Sequence, residues 1–416
     1  MVGAGLAGLA AAVQLQRRGA QVVLHDAAAH AGGRCRSYYD LQLGATLDSG
    51  NHMVLSGDTA TLNYTRAIGA VDELTGPAQP DYPFIDLTTQ AHWTVRMSPG
   101  RLPWWIFDPN ARVPNTGPGD YLAPVPLLFA KPGRSVAQTM RANGPLWDRL
   151  LRPLCHAMLH VEPRDASAEL TGAMLRETLF AGGLACRPLV ARNGLGSAFV
   201  DPALRLLQHG GAAIRLDSSL KQIVFAADNR RVQALDFAHE QIAIEANQAV
   251  ILAVPPEIAR TLVPGLRAPT RFAATVDVHF AVEPPFGLPP VTGLLNGTAE
   301  WLFAFGGRLS ATLNHAERLL DTPHESLAAT VWAEVAQAVN VPALPMPAWQ
   351  VVMEKRATFA ALPDQETQRP GTRTRWNNLM LAGDWTATGL PATIEGAIRS
   401  GQKAADTLLN EPMERR

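Results

Sequence analysis

Apolar residues recur at Leu6, Leu9 and Val13, the spacing of one helix face, and Gly19 stands where a C-terminal cap closes a helix near Arg18. Val22, Val23 and Leu24 follow as an unbroken apolar run, the pattern of a strand buried on both faces of a parallel sheet. Residues 83–96 alternate Phe84, Asp86 and Trp93, Val95 about a polar turn, which predicts a hairpin. Residues 147–160 and 168–180 read as helices. A glycine turn at Gly194 and Gly196 opens another helix that ends near Gly210 and Gly211. Short strands then crowd together at 213–216, 222–225, 231–237 and 241–245, and 249–253 is a fully apolar strand stopped by Pro255 and Pro256. Residues 271–282 alternate like a strand, and residues 293–313 are expected to hold two more, 301–307 and 309–313. An amphipathic helix at 325–340, a strand at 349–357, an apolar strand at 379–382 and a helix after Pro391 complete the series.

This alternation indicates an α/β fold in which a dinucleotide-binding domain is interrupted by an α+β substrate domain. Residues 1–76, 193–263 and 375–416 are expected to form the first, and residues 77–192 and 264–374 the second. No solenoid period is present.

Composition narrows the classes. A chain of 416 residues, 47% hydrophobic, is long enough for two cores. With 36 basic and 37 acidic residues, no global field attracts nucleic acid. Cys35, Cys155 and Cys186 are scattered without C-x-x-C spacing, against a disulfide framework or metal site. No apolar run reaches the ~18 residues of a membrane span. The expectation is a cytoplasmic protein, with association to a membrane surface left open. Residues 104–107 (WWIF) and 121–130 (YLAPVPLLFA) could cap an apolar cavity or dip into lipid, and ordinary core packing is an equal reading.

Chemistry concentrates at the chain's two ends. Gly3, Gly5 and Gly8 form G-x-G-x-x-G, which supplies a tight turn, a close approach to a pyrophosphate and close helix packing. Asp26 ends the next strand about 20 residues on, where a carboxylate meets an adenosine ribose. Gly32, Gly33 and Arg34 make a second turn in AGGRCRS that favours FAD over NAD, since an arginine fork suits pyrophosphate oxygens. Only Met1 and Val2 precede Gly3, so a native chain beginning several residues upstream is expected. In residues 48–52 (DSGNH), backbone around Gly50 can approach a flat ring and His52 can donate to it or to a substrate; a turn with a satisfied histidine is the plainer reading. Val224 is a candidate backbone contact to adenine. Near the end, Gly383 and Asp384 follow a strand, with Asp384 placed to accept from ribityl hydroxyls. The helix start at 393–396 favours negative charge on a flavin pyrimidine. Ala397, Gly401 and Ala405 put small residues on one face, suited to another helix or to a cofactor.

The N-terminal glycines, Asp26, GGRCRS and LAGDWTATGLPATIEGAIRSG resemble the FAD-dependent amine oxidase and carotenoid desaturase superfamily across essentially the whole chain. LDSGNHMVLSG, PFIDLTTQAHW and GDWTATGLPATIEGAIRSG resemble, more finely, its squalene-associated branch, the hydroxysqualene dehydroxylases of bacterial squalene and hopanoid biosynthesis. The resemblance implies a GR2-type Rossmann-like FAD domain. In it Gly3, Gly5, Gly8 and Gly33 would hold the pyrophosphate, Asp26 the ribose and Arg34 the phosphates, with Asp384 near the ribityl chain and Glu395 with Gly396 at the flavin end. Asp26 stands where a glutamate is commoner. The absence of cysteine from the closing segment excludes a thioether link from there, so FAD would be non-covalent.

The implied reaction is reduction of hydroxysqualene to squalene with loss of water, in a long apolar tunnel opening toward a membrane, with other squalene-pathway enzymes as partners. An acid is required because hydroxide leaves poorly. His52 and a bound water are equal candidates for it. A carotenoid-type desaturase, moving hydride the other way, is the nearest alternative. An amine oxidase would want a lysine and an aromatic cage, for which there are no clear candidates. A non-catalytic FAD- or lipid-binding pathway protein is the alternative outside enzymology.

Overall fold

The computed structural model describes residues 1–410. Its nucleotide side is a parallel arrangement assembled from distant parts of the chain. Strand Val23–His25 pairs with Ala213–Arg215, and Val250–Leu252 pairs with Leu379–Leu381. Val2 bridges the two pairs, contacting both His25 and Leu252 in parallel. The strand expected before the glycine turn is thus present as one bridging residue, with its amide bonded to Ile251 O at 3.0 Å.

The first helix, Leu6–Arg17, ends as expected, with Arg18 as its cap and Gly19 at φ +84°. Its apolar face is alanine-rich and fully buried. The closing helix, Ile394–Asn410, lies directly on it. A Cβ added at Gly401 would stand 2.0 Å from the Ala7 carbonyl oxygen. Of the two uses foreseen for the small-residue face, helix contact is the one observed at Gly401.

The second sheet has seven strands in the order Trp349–Phe359, Phe272–Phe280, Arg308–Leu313, Trp301–Phe305, Val291–Leu295, Asp81–Asp86, His92–Arg96. All neighbours are antiparallel except Val291–Leu295 with Asp81–Asp86. Strand periodicity sends Val276, Val278, Phe280, Leu309, Ala311 and Leu313 to a core shared with helix His324–Val339. Asp277, His279, Ser310 and Thr312 therefore face the opposite way, as do Trp301 and Phe303, which join the other core. The sequence pattern placed two strands within 293–313, and a third begins earlier, at Val291. All five of its residues are buried, so it shows no alternation, and Gly293 leaves room for the Phe84 ring.

The expected hairpin is present as Asp81–Asp86 with His92–Arg96, and the crowded short strands form an antiparallel sheet of Leu220–Phe225, Val232–Phe237 and Gln241–Ala243. The aromatic cluster at 104–107 is divided. Trp105 is buried against Tyr121, whereas Trp104 and Phe107 are 66% and 60% exposed. Among the described residues no helix is long and apolar enough to cross a membrane.

Candidate active site

The two glycine turns lie one on the other. Gly32 N–H donates to Ala4 O at 2.8 Å, and Gly33 comes within contact distance of Gly5 Cα. Gly3 is at φ +102° and its missing Cβ would strike Ala253 O at 2.3 Å; that of Gly8 would strike Gly3 O. Gly5 is different: nothing lies within 4 Å of where its Cβ would stand. That open space at the N-terminus of a twelve-residue helix suits a pyrophosphate, so the residues present fit FAD.

Asp26 carries more structure than a ribose ligand alone. Its Oδ2 accepts from Ala4 N–H at 2.6 Å and its Oδ1 from Ala28 N–H at 2.8 Å, which clamps the first turn to the end of the strand. Ser218 N–H donates to Asp26 O at 2.7 Å, so residues near 218 adjoin Asp26. Strand Leu220–Phe225, which carries Val224, begins two residues further on.

Arg34 also departs from expectation. Its Nη2 donates to both carboxylate oxygens of Asp384, at 2.7 and 2.8 Å, and its Nη1 to Ala357 O at 2.5 Å. The fork expected on phosphate is committed to Asp384, whose charge raises the guanidinium pKa. Asp384 is buried, and the main chain beside it is held by buried Arg369, which donates to Asp384 O and Thr386 O at 2.9 and 2.5 Å. Gly383 N–H donates to Ser400 Oγ at 2.9 Å, and a Cβ there would strike the Trp385 ring.

The Glu395 carboxylate is engaged within the protein. It is 2% exposed and caps helix Thr59–Ala67, accepting from Ala60 N–H at 3.0 Å and Thr61 N–H at 2.8 Å. It also takes the Thr61 hydroxyl and Arg399 Nε, each at 2.7 Å, and Arg399 continues to Glu177. With its oxygens committed, its side chain serves as a helix cap and ion-pair member. Gly396 N–H is taken by the Thr393 hydroxyl at 3.0 Å.

His52 lies beside Arg34, with Nε2 at 3.4 Å from Arg34 O, and burial lowers its pKa. A neutral imidazole suits orientation better than proton donation. Next to it, Asn51 Nδ2 donates to Asp277 at 2.7 Å, Ser310 at 2.7 Å and Thr312 at 3.0 Å, pinning the DSGNH turn to the seven-stranded sheet. Burial pushes the Asp277 carboxyl up to about 6.

Two histidines that sequence reasoning missed complete the surroundings. His156 and His160 lie at the end of helix Arg152–Leu159. Burial, helped by the charge of Arg34, holds His160 down to about 3. The signal available was polar residues within apolar stretches: 277, 279, 310 and 312 in the sheet, 156 and 160 in the helix.

Residues 6–409 match the model of the flavin-containing amine oxidoreductase family. The chain is 49% identical to hydroxysqualene dehydroxylase of Rhodopseudomonas palustris, covering 98% of this chain and 97% of the relative. It is 48% identical to the enzyme of the same name from Sinorhizobium fredii, over 99% and 98%. A probable zeta-carotene desaturase of Synechococcus elongatus is more distant, 24% identical over 98% of both chains. Putrescine oxidase solved with putrescine shares the fold, with a TM-score of 0.71, 16% identity, and 99% and 98% of the two chains covered. With the glycine turns in place, these similarities make the chain a member of the flavin-containing amine oxidoreductases and, within them, of the hydroxysqualene dehydroxylase family.

Proposed function

We propose that this chain reduces hydroxysqualene to squalene with loss of water. The observation that carries this reading is its full-length similarity to hydroxysqualene dehydroxylases. FAD, when bound and reduced, supplies the hydride equivalent. In this reading Gly3, Gly5, Gly8 and Gly33 face the pyrophosphate, Asp26 the ribose, and Asp384, with Gly383 and Gly396 nearby, the ribityl and ring end. Arg34 acts by holding Asp384 in place.

The sheet face bearing Phe84, Trp301 and Phe303 gives a long isoprenoid an apolar wall, with buried Trp147 in the same core. His52, Asn51 and Asp277 stand at the polar end of that wall, where a hydroxyl would be oriented. Water is kept out by the same aromatic packing.

Peripheral membrane contact belongs to this proposal. Leu102, Trp104, Phe107 and Leu122 are each at least 60% exposed on neighbouring turns, an arrangement suited to a lipid interface through which substrate and product could pass. Handover to other enzymes of squalene synthesis would occur at the same surface.

The test is an anaerobic single turnover with photoreduced, FAD-loaded protein and hydroxysqualene, following flavin absorbance and extracted hydrocarbon. Flavin reoxidation matched by squalene is expected. Persistent reduced flavin, with oxidised enzyme bleaching on a polyene precursor, would replace this reading by desaturation. Silence in both directions would leave a binding role.

A further inference from the structure

The reaction just proposed needs an acid, and His52 is poorly suited to be one. The described side chains near it include Asp277, Arg34, His160, His156 and, behind His156, Glu300 with Asn314 and His315; Asp277 already accepts on Oδ1 from Asn51 and Thr312 and on Oδ2 from Asn51 N–H. Arg34 is committed to Asp384. His160 is held neutral by burial, helped by the charge of Arg34. His156 differs from both. Its Nδ1 is 3.0 Å from Glu300 Oε1, and the other Glu300 oxygen accepts from Asn314 Nδ2 at 2.8 Å, so the carboxylate is fixed from two sides. Its Nε2 is buried with no hydrogen-bond partner. The His315 ring meets it edge-on, with centroids 6.0 Å apart.

An imidazole with a carboxylate on one nitrogen and a dry, unpaired second nitrogen is arranged to carry a proton and offer it to one oxygen atom. Its neighbours bear on where that proton goes. Glu300 N–H donates to Thr312 O at 3.0 Å, so the pair stands beside the strand whose Thr312 hydroxyl meets Asn51 and Asp277, next to His52. Glu300 is 21% exposed and keeps contact with water.

We propose that His156, oriented by Glu300, is the proton donor to the hydroxyl of the bound isoprenoid alcohol; this rests on the reductive reading above. The Nε2 proton passes to the hydroxyl oxygen, and the carbon–oxygen bond breaks with its electron pair leaving on water. Reduced FAD, when bound, would supply the hydride equivalent to the allylic carbon left behind, so that R–OH, hydride and proton become R–H and water. His156, left neutral with its remaining proton toward Glu300, is reprotonated from water once the product has gone.

The assignment is tested by leaving-group rescue. Wild type, His156→Gln and Glu300→Gln, each loaded with reduced FAD, are given hydroxysqualene and, separately, its acetate ester, whose carboxylate departs without a strong acid. His156→Gln is expected to slow the alcohol by about 100-fold or more and the ester by less than about 5-fold. Glu300→Gln, which keeps the imidazole, should show a smaller loss of the same alcohol-selective kind. Binding of the alcohol to oxidised protein, read from tryptophan fluorescence, should change by less than about 5-fold in either variant. Alcohol turnover unchanged in His156→Gln, or alcohol and ester falling together in both variants, would overturn the assignment. A wild type inert toward both compounds would instead overturn the reductive reading and the assignment with it, an outcome told apart by the wild-type arm alone.

Discussion

Arg34 and Asp384, 350 positions apart in the chain, are joined by two hydrogen bonds of 2.7 and 2.8 Å from a single guanidinium nitrogen. The pair ties the second glycine turn to the loop before the closing helix, so cofactor affinity should depend on it without either residue touching phosphate. Asp384→Asn is expected to weaken FAD binding about 10-fold or more and to cost about 1–2 kcal/mol in stability. The cost is moderated because Arg34 is 44% exposed. Arg34→Lys, which cannot span Asp384 and Ala357 O together, should behave similarly. Equilibrium dialysis of FAD and thermal melts read both effects.

Glu395→Gln separates a structural role from a cofactor role. The amide keeps one acceptor but loses the charge that faces two helix amides and Arg399, a loss of about 1–3 kcal/mol. The flavin spectrum and its dissociation constant should stay within about twofold of wild type, given the commitment of both oxygens elsewhere. A large change in FAD affinity in a still-folded variant would restore Glu395 to the flavin.

Gly401→Ala inserts a methyl where Ala7 O already stands at 2.0 Å. The closing helix must move off the first helix, which should cost about 1–3 kcal/mol by urea titration and loosen FAD, since the first helix begins at the pyrophosphate turn.

Acid lability follows from buried neutral histidines. Burial lowers His25 to about 4, and His160 and His279 to about 3. Their folded values lie below the unfolded value near 6.5, so as pH falls the unfolded chain takes up protons that the native protein does not, and stability is lost from about pH 6.5 downward. Each group adds up to about 1.4 kcal/mol per pH unit to that slope. Asp58 acts oppositely. Burial raises it to about 7, so the native state retains a proton that the unfolded chain has released, and stability is lost as pH rises from about 4 to 7. Asp58→Asn should therefore melt higher than wild type at pH 8 and equally at pH 3.5.

Membrane contact should be carried by Trp104 and Phe107 with Leu122, and not by Trp105, which is core. Replacing those three exposed residues by serine should reduce cosedimentation with lipid vesicles several-fold while the melting temperature holds. Unaltered vesicle binding in the folded triple variant would remove the lipid-facing role.

Local features were legible in the sequence because their causes are local. The helix from Leu6 with its Gly19 cap, the hairpin around residue 89 and the glycine turns each depend on residues within a few positions of one another. Partners were not legible. Nothing near Glu395 announces Thr61, 334 residues earlier, and nothing near Arg34 announces Asp384. Trp105 had a side chain suited to the lipid-facing role open to its cluster, yet which side of a turn faces water is settled by tertiary packing. His156 carried no motif at all; its interest arises only when Glu300 comes to its Nδ1 and leaves Nε2 bare.

The parallel sheet has a temporal consequence. Strand Leu379–Leu381 completes it, and Asp384 and Gly401 then lock the second turn and first helix in place. During synthesis the amino-terminal glycines emerge early but wait for nearly the whole chain before their last neighbours arrive. Cofactor capture should thereby be a late event, following release of the closing helix from the ribosome, and a nascent chain halted before residue 379 should lack both the Asp384 partner of its second turn and the cover on its first helix.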